Sequence, residues 1–423
     1  MSFSSQHYLK VGRALKKPEP GLQTALKVAH RITINAPERA VVFTLGHLAA
    51  LGGISYFKLR DWAGRWGPEP YRQFFLSKKT DGRRTAKPAP RKLRRIAVPS
   101  PGLMAQQRWI LQRILHTAPR HPASVAFHRE ADIVAVARLH CQCRWLIKLD
   151  VQNFFESIYE PAVYRVFRGL GYPRLLAFEL TRLCTRVRPD QANDGGAGMT
   201  SDLVGRGPSF YERLKENPKP DPYFRNRGYR ASDRSVEVQQ WGNPRPALPM
   251  GSLPQGAPTS PMLANLAVRD LDERITTIAD TYGLTYTRYA DDIALSTASK
   301  AFDRDQATEV IGKVMYELDR QGLKPHVTKT RIVPPGARKI VLGLIVDGVQ
   351  PRLTREYRNK LRLHAYMLAD KGVPPSQHAR ALKFRSVLSL RRHIEGKIVH
   401  ARRVEATFAN GIEAQLKAVD WNL

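Results

Sequence analysis

The sequence predicts an α+β fold, in which helices pack against a mostly antiparallel sheet. Three observations support this prediction. Apolar residues recur at helical spacing along most of the chain, short apolar strands lie between those segments, and two strands are joined by a tight turn. A chain of 423 residues can bury more than one hydrophobic core, so we expect several lobes.

The first part of the chain is predicted to be a helical extension over residues 1–70, which ends at a Gly-Pro-Glu-Pro breaker. Its most apolar run, residues 40–57, is interrupted by glycines. We therefore predict two packed helices there, with no membrane span and no signal peptide. Residues 71–101 contain short β-like pieces among basic residues, which predicts a basic hairpin.

The middle of the chain alternates between predicted helices and strands. Residues 103–117 have helical spacing, and Trp145–Asp150 is an apolar strand. A polar stretch of about 188–247 has weak periodicity and predicts an insertion or a long ordered loop. After it we predict a helix over 265–282, a β-hairpin over 284–296 and a helix over 303–321.

Charge indicates the kind of partner. The chain has 69 Lys and Arg against 37 Asp and Glu, a formal charge of +32, and nucleic acid is the polyanion that best balances such an excess. Residues 351–423 are predicted to form a helical lobe with 15 Lys or Arg against 6 Asp or Glu, which faces nucleic acid. Three cysteines are too few for a disulfide framework or a four-ligand zinc site, so we expect reduced thiols in a cytoplasmic protein.

Three acids stand out as candidates for chemistry. Asp291 and Asp292 lie at the tip of the predicted hairpin in Tyr289-Ala290-Asp291-Asp292, and Asp150 ends an apolar strand. Paired acids in a turn usually only form or cap the turn. If the two strands are neighbours, however, the acids can bridge two divalent ions for phosphoryl transfer, and Mg²⁺ accepts such carboxylates.

A third element precedes a helix, in Leu253-Pro254-Gln255-Gly256 followed by Pro258-Thr259-Ser260-Pro261. A Gly- and Pro-rich turn of this kind is commonly a loop with a helix cap. Together with Asp150 before Phe154-Phe155, and with Tyr-Ala-Asp-Asp, it resembles the reverse transcriptase family, from about Leu48 onward. The chain is most similar to bacterial retron and defence-associated enzymes, and group II intron enzymes are more distant.

The resemblance implies a right-hand polymerase fold. Residues 71–145 would be the fingers, 146–350 the palm with the polar insertion, and 351–423 the helical thumb. It also implies an RNA-directed DNA polymerase with two Mg²⁺ ions, for which Mn²⁺ could substitute. Its partners would be a structured noncoding RNA template, deoxynucleoside triphosphates and the RNA–DNA duplex product, with no membrane; the oligomeric state is not predicted.

The resemblance further assigns roles to individual residues. Asp150, Asp291 and Asp292 would hold metal with the Val151 carbonyl, and Asp292 would contribute charge more than ligation. Phe155 would be the steric gate against a ribose 2′-hydroxyl, with plain core packing as the alternative. Lys329 would protonate the pyrophosphate leaving group. The remaining assignments are Gln255 and Lys78, with Arg95 or Arg94, for the nucleotide; Val341-Leu342-Gly343 for the primer grip; and Arg225, Arg227, Arg230, Arg391, Arg392, Lys397, Arg402 and Arg403 for nucleic acid.

Departures from the retron pattern refine the expected biology. Val136 replaces the Asn of Asn-Ala-x-x-His, Leu342 replaces the Thr of Val-Thr-Gly, and His326 replaces an Asn. These changes favour a free-standing enzyme that copies a bound noncoding RNA in defence against phage. A retron enzyme that makes a branched RNA–DNA is the alternative, as is a nonenzymatic RNA-binding scaffold. No endonuclease segment is expected after the thumb, so intron mobility is the weaker interpretation.

Overall fold

The computed structural model describes residues 3–77, 93–187 and 250–421. The predicted insertion at about 188–247 lies outside these ranges, and so do Lys78, Arg225, Arg227 and Arg230. The described part contains both helices and antiparallel sheets, which confirms the α+β expectation. None of its helices combines the length and the apolar character needed to cross a membrane.

The N-terminal region is helical, as predicted. The apolar run is divided between two helices at Gly53, which has a φ of +62° and caps the first of them. A two-stranded antiparallel hairpin follows, also as predicted, and a helix begins directly after it. The bounds are α1 Ser5–Ala14, α2 Glu19–Thr33, α3 Leu45–Gly52, α4 Tyr56–Gly64, β1 Tyr71–Ser77, β2 Leu93–Pro99 and α5 Pro101–Arg113.

The central sheet has four strands in the order β4-β5-β3-β6. The strand predicted at 145–150 is β3, Trp145–Asp150, and the predicted hairpin is β4, Thr285–Tyr289, with β5, Asp292–Thr297. Short β6, Arg331–Val333, pairs with the other edge of β3. All these pairings are antiparallel.

Helices pack on both faces of this sheet. The single helix predicted over 265–282 is wrong in detail: Val268, at φ −107° and ψ 18°, leaves the helical conformation and separates two helices. The helix predicted over 303–321 is confirmed. The bounds are α6 Ile133–Leu139, α7 Glu160–Gly169, α8 Arg174–Cys184, α9 Ser260–Ala267, α10 Arg269–Thr281 and α11 Arg304–Arg320.

The region predicted as a helical lobe, residues 351–423, is helical, and a small three-stranded sheet that begins before it, at Ile340, leads into it. Its helices share one apolar cluster with α6 and with Leu146 of the central sheet. The bounds are β7 Ile340–Val341, β8 Leu344–Ile345, β9 Arg352–Leu353, α12 Arg355–Ala365, α13 Pro375–Ala381, α14 Val387–Val404 and α15 Ala406–Leu416.

Alternation along β3 and β5 divides the central sheet into two faces. Ile147, Leu149 and Ile293 point into the main hydrophobic core. The opposite face carries Leu146 and Ala294, which belong to the C-terminal cluster. Because side chains alternate, Lys148, Asp150 and Asp292 are on this second face, beyond the part that the C-terminal cluster covers.

His140 fixes the end of α6 to that second face. Its Nδ1 lies 2.7 Å from Ser296 Oγ and its Nε2 2.7 Å from Thr287 Oγ1, so the ring joins α6 to β5 and β4. Burial, with the charge of Lys148, lowers the pKa of His140 to about 4. The buried ring is therefore neutral in the folded protein at neutral pH.

This lowered pKa predicts acid sensitivity. The contribution of His140 to stability is complete above the pKa of about 6.5 that a histidine has in the unfolded chain. As the pH falls from 6.5 towards 4, this histidine takes up a proton in the unfolded chain before it does so in the folded protein. The resulting loss in the free energy of unfolding approaches about 3 kcal/mol. Chemical denaturation at pH 7 and pH 4.5 measures it: His140→Gln, which does not titrate, should lose less stability than the wild type. Equal losses would contradict the assignment.

Candidate active site

The three candidate acids meet at one end of the central sheet. Asp150 and Asp292 are direct partners in the antiparallel register of β3 and β5. Asp291 precedes Asp292 in the tight turn between β4 and β5, where Ala290 has a φ of +57°. The Val151 N–H donates to the Asp291 carbonyl at 3.0 Å, which ties the turn to the end of β3.

Two lysines pair with acids at this end of the sheet. Lys329 Nζ donates to both carboxylate oxygens of Asp150, at 2.9 and 3.0 Å. Lys148 Nζ lies 3.3 Å from Asp292 Oδ2. Sequence reasoning missed Lys148, although its position two residues before Asp150 on a strand puts both side chains on one face.

The pKa values of two of the acids are perturbed. Partial burial raises the pKa of Asp291, and the charges of Asp150 and Asp292 raise it further. Partial burial also raises the pKa of Asp292, while Lys148 opposes that rise. Like charges held together in this way favour a bound cation.

The donor set fits a divalent metal that a substrate helps to hold. Within residues 3–77, 93–187 and 250–421, no three His, Cys, Asp or Glu side chains converge as a ready-made metal cage. Mg²⁺ is commonly bound through one or two carboxylates, with water and substrate phosphates as its other ligands. Asp150 and Asp291 offer hard carboxylate oxygens of this kind, so the residues present fit such an ion.

A buried ion pair supports the turn that carries Asp291. The Arg288 guanidinium is 1% exposed and donates to both carboxylate oxygens of Asp272, at 2.7 and 2.6 Å. It also donates to the Ala290 carbonyl at 3.0 Å, within the turn itself. Tyr286 Oη donates to the same Asp272 carboxylate at 2.7 Å. The turn is thus bonded to α10, which lies in the core.

Phe155 follows the first of the acids in the chain and belongs to a group of aromatic rings. Phe155, the candidate steric gate, follows Asp150 by five residues and packs against the main core without being enclosed by it. Its ring centroid is 5.7 Å from that of Phe154 and 6.2 Å from that of Phe127. Phe127 also approaches Tyr289, at 5.9 Å.

The Gln255 loop is joined to the basic hairpin. The Ala97 N–H of β2 donates to the Gln255 carbonyl at 2.7 Å. Gly256 has a φ of +114°, and a Cβ there would lie 2.8 Å from the Ala97 carbonyl oxygen. Arg94 and Arg95 lie three and two residues before Ala97 on the same strand, and Arg95 stacks over Phe75 at 5.7 Å. The structure therefore places the strand of both candidate donors beside Gln255.

The predicted primer-grip and thumb residues come after the four strands of the central sheet in the chain. Val341-Leu342-Gly343 spans the turn between β7 and β8, with φ of +48° at Leu342 and +82° at Gly343. Most of the basic candidates contact their own chain. Arg391 pairs with Glu395, Arg402 with Glu413 and Arg403 with Asp132, Lys397 lies over Tyr357, and Arg392 is exposed.

The family model and the sequence relatives that match this chain are all described as reverse transcriptases. The family described as "Reverse transcriptase (RNA-dependent DNA polymerase)" matches residues 231–346. The retron Ec86 reverse transcriptase of Escherichia coli is 28% identical over 272 residues, which are 64% of this chain and 64% of that protein. The retron Mx162 reverse transcriptase of Myxococcus xanthus is 27% identical over 393 residues, 88% of this chain and 68% of that protein.

The match to the Ec86 enzyme thus spans somewhat under two thirds of that relative. Among solved structures, telomerase from Candida albicans aligns over 82% of this chain and 56% of its own, with 10% identity and a TM-score of 0.35. The family match includes Gln255, Asp291, Asp292 and Lys329. On these matches, residues 231–346 resemble the reverse transcriptase family, and the two sequence relatives named above are bacterial retron enzymes.

Proposed function

We propose that this chain is an RNA-directed DNA polymerase whose active site is the acidic end of the central sheet. The observation that carries the proposal is that Asp150, Asp291 and Asp292 lie at the same end of two paired strands and their turn. A scaffold that only bound RNA would have no physical reason to hold like charges together and partly buried. This arrangement favours the enzyme over the scaffold.

The proposed roles follow from what each group offers. Asp150 and Asp291 would hold two Mg²⁺ ions with the Val151 carbonyl, and Asp292 would contribute charge. When bound, the ions make the primer 3′-hydroxyl a better nucleophile and stabilise charge on the triphosphate. Lys329 lies within reach of Asp150 and is the group that protonates the pyrophosphate leaving group. Mn²⁺ would satisfy the same oxygen ligands.

The nucleotide would lie between the hairpin and the acids. Gln255 contacts its sugar and base-pair edge, Phe155 excludes a ribose 2′-hydroxyl, and Arg95 or Arg94 binds its phosphates. The hydrogen bond from the Ala97 N–H to the Gln255 carbonyl supports this grouping. It joins the strand that carries Arg94 and Arg95 to the loop that carries Gln255. Under this proposal the fingers are residues 71–145, the palm 146–350 and the thumb 351–423.

The template would be a structured noncoding RNA, and the product an RNA–DNA duplex in the cytoplasm. The charge of +32 supports a nucleic-acid partner that extends beyond the active site. Two products fit the chain. Unbranched cDNA in defence against phage is suggested by Val136 and Leu342, which depart from the retron pattern. A branched RNA–DNA is favoured by the relatives, which are retron reverse transcriptases.

The direct test uses the protein with the RNA that copurifies with it. Mg²⁺ and labelled deoxynucleotides are added, and the products are sequenced beside those of an Asp291→Ala variant. We expect discrete DNA that is complementary to one short RNA and absent from the variant. A 2′,5′-linked branch in the product would select the retron alternative. No incorporation, either on that RNA or on a primed test template, would overturn the polymerase proposal in favour of the scaffold.

The close approach at Gly256 gives a separate prediction. In Gly256→Ala the added Cβ would lie 2.8 Å from the Ala97 carbonyl oxygen, so β2 and the Gln255 loop must move apart. We expect KM for deoxynucleotides to rise about tenfold, which corresponds to about 1.4 kcal/mol of lost binding. Gly283→Ala is the matched control, because Gly283 also has a positive φ but a Cβ there meets nothing within 4 Å. Equal KM values for the two variants would contradict the role of this approach.

A further inference from the structure

Phe127 is the feature of the site that none of the proposed roles uses. Its φ is +64°, a left-handed conformation that is unusual for a bulky side chain. Such strain persists only where the surroundings impose it, and it is often found where a side chain must be aimed at a site. The ring of Phe127 is half-buried and lies between two aromatic rings of the candidate active site.

The surroundings that impose this conformation are well defined. Residues 123–126 run alongside β4, where the Arg288 N–H donates to the Ala123 carbonyl at 2.7 Å and the Val125 N–H to the Arg288 carbonyl at 3.0 Å. Asn265 Nδ2 donates to the Ala126 carbonyl at 2.8 Å. The backbone is thus held up to the residue before Phe127, and the positive φ turns the ring towards the site.

The ring contacts indicate what Phe127 does. Its centroid is 6.2 Å from Phe155 and 5.9 Å from Tyr289, with interplanar angles of 49° and 50°. Tilted pairs at such separations are favourable contacts. Phe155 is supported on another side by Phe154, which is 3% exposed and lies under the Arg288 guanidinium at 5.6 Å. Without Phe127, one side of the Phe155 ring would lose its neighbour.

We propose that Phe127 is a positioning residue that holds Phe155 in place, and so sets how strongly the enzyme rejects ribonucleotides. This inference rests on the proposed function, in which Phe155 is the gate. A steric gate discriminates only if its ring cannot yield when a 2′-hydroxyl presses against it. Phe127 supplies that resistance because the backbone directly before it, residues 123–126, is bonded to β4 and to Asn265.

The test measures the ratio of kcat/KM for dGTP to that for GTP on a primed RNA template. Phe155→Ala, Phe127→Leu and Phe127→Tyr are compared with the wild type. We expect Phe155→Ala to lower the ratio about 100-fold and Phe127→Leu to lower it about 10-fold, while Phe127→Tyr, which keeps the ring, stays near the wild type. Phe178→Leu, at an exposed aromatic residue of α8, is the matched control and should leave the ratio unchanged.

The outcomes separate the inference from the function. A normal ratio in Phe127→Leu beside a lowered one in Phe155→Ala would overturn the role of Phe127 and leave the gate intact. Normal ratios in both variants would overturn both roles while dGTP incorporation still supports the polymerase. No incorporation by the wild type would remove the proposed function and the inference with it. If thermal melting shows that Phe127→Leu is unfolded, Phe127→Met, with a flexible side chain, takes its place under the same criteria.

Discussion

Replacing Asp291 by Asn is expected to abolish magnesium-dependent incorporation of deoxynucleotides, with a loss of at least about 1,000-fold in kcat. The substitution keeps the size of the side chain but removes the charge that would hold the metal. Stability should not fall, because partial burial and the charges of Asp150 and Asp292 already raise the pKa of Asp291 and so disfavour its ionised form. Steady-state incorporation and thermal melting measure the two effects.

The control for this experiment is Asp280→Asn, which removes an exposed carboxylate near the end of α10 and should leave incorporation unchanged. RNA binding by the Asp291→Asn protein should equal that of the wild type, since most of the positive charge lies elsewhere in the chain. Full incorporation by Asp291→Asn would contradict the assignment of the acidic end. Loss of incorporation together with loss of RNA binding would instead indicate a general structural defect.

The buried pair of Arg288 and Asp272 should give the largest effect on stability. Either single replacement, Arg288→Met or Asp272→Leu, leaves an uncompensated charge in the core and is expected to cost about 3–5 kcal/mol. In the double variant neither charge is present, so its loss should be far smaller than the sum of the two single losses. The free energy of unfolding from denaturant titration tests this coupling.

The exposed pair of Arg269 and Glu273 provides the matched control for this cycle. Its side chains are 43% and 53% exposed, so Arg269→Met with Glu273→Leu should leave the denaturation midpoint nearly unchanged. The Arg288→Met and Asp272→Leu double variant should nevertheless incorporate deoxynucleotides more slowly, since the bond to the Ala290 carbonyl is lost. Additive single losses would contradict the coupling, and full activity of the double variant would contradict the support of the turn.

The pattern of neighbouring residues predicted those parts of the site that a single strand or turn positions. The apolar run over residues 145–150 placed Asp150 at the end of a strand, and the tight turn placed Asp291 and Asp292 at the tip of the hairpin. The same reasoning missed the partners of Arg288. Asp272 lies 16 residues before it and Ser124 lies 164 residues before it, so no local periodicity connects them. Only the packing of α10 and residues 123–126 against β4 brings these groups together.

The bond between Ala97 and Gln255 has a consequence for movement during nucleotide binding. It attaches β2 to the Gln255 loop at a point only two residues from the end of the strand at Pro99. If β1 and β2 move over an incoming nucleotide, they must therefore either rotate about Ala97 or first break its hydrogen bond to the Gln255 carbonyl. Arg95 lies two residues from Ala97 and pairs with Phe75 of β1, so a movement of the hairpin would carry both residues. Under the proposed role of Gln255, the hairpin would therefore move about the same loop that contacts the nucleotide.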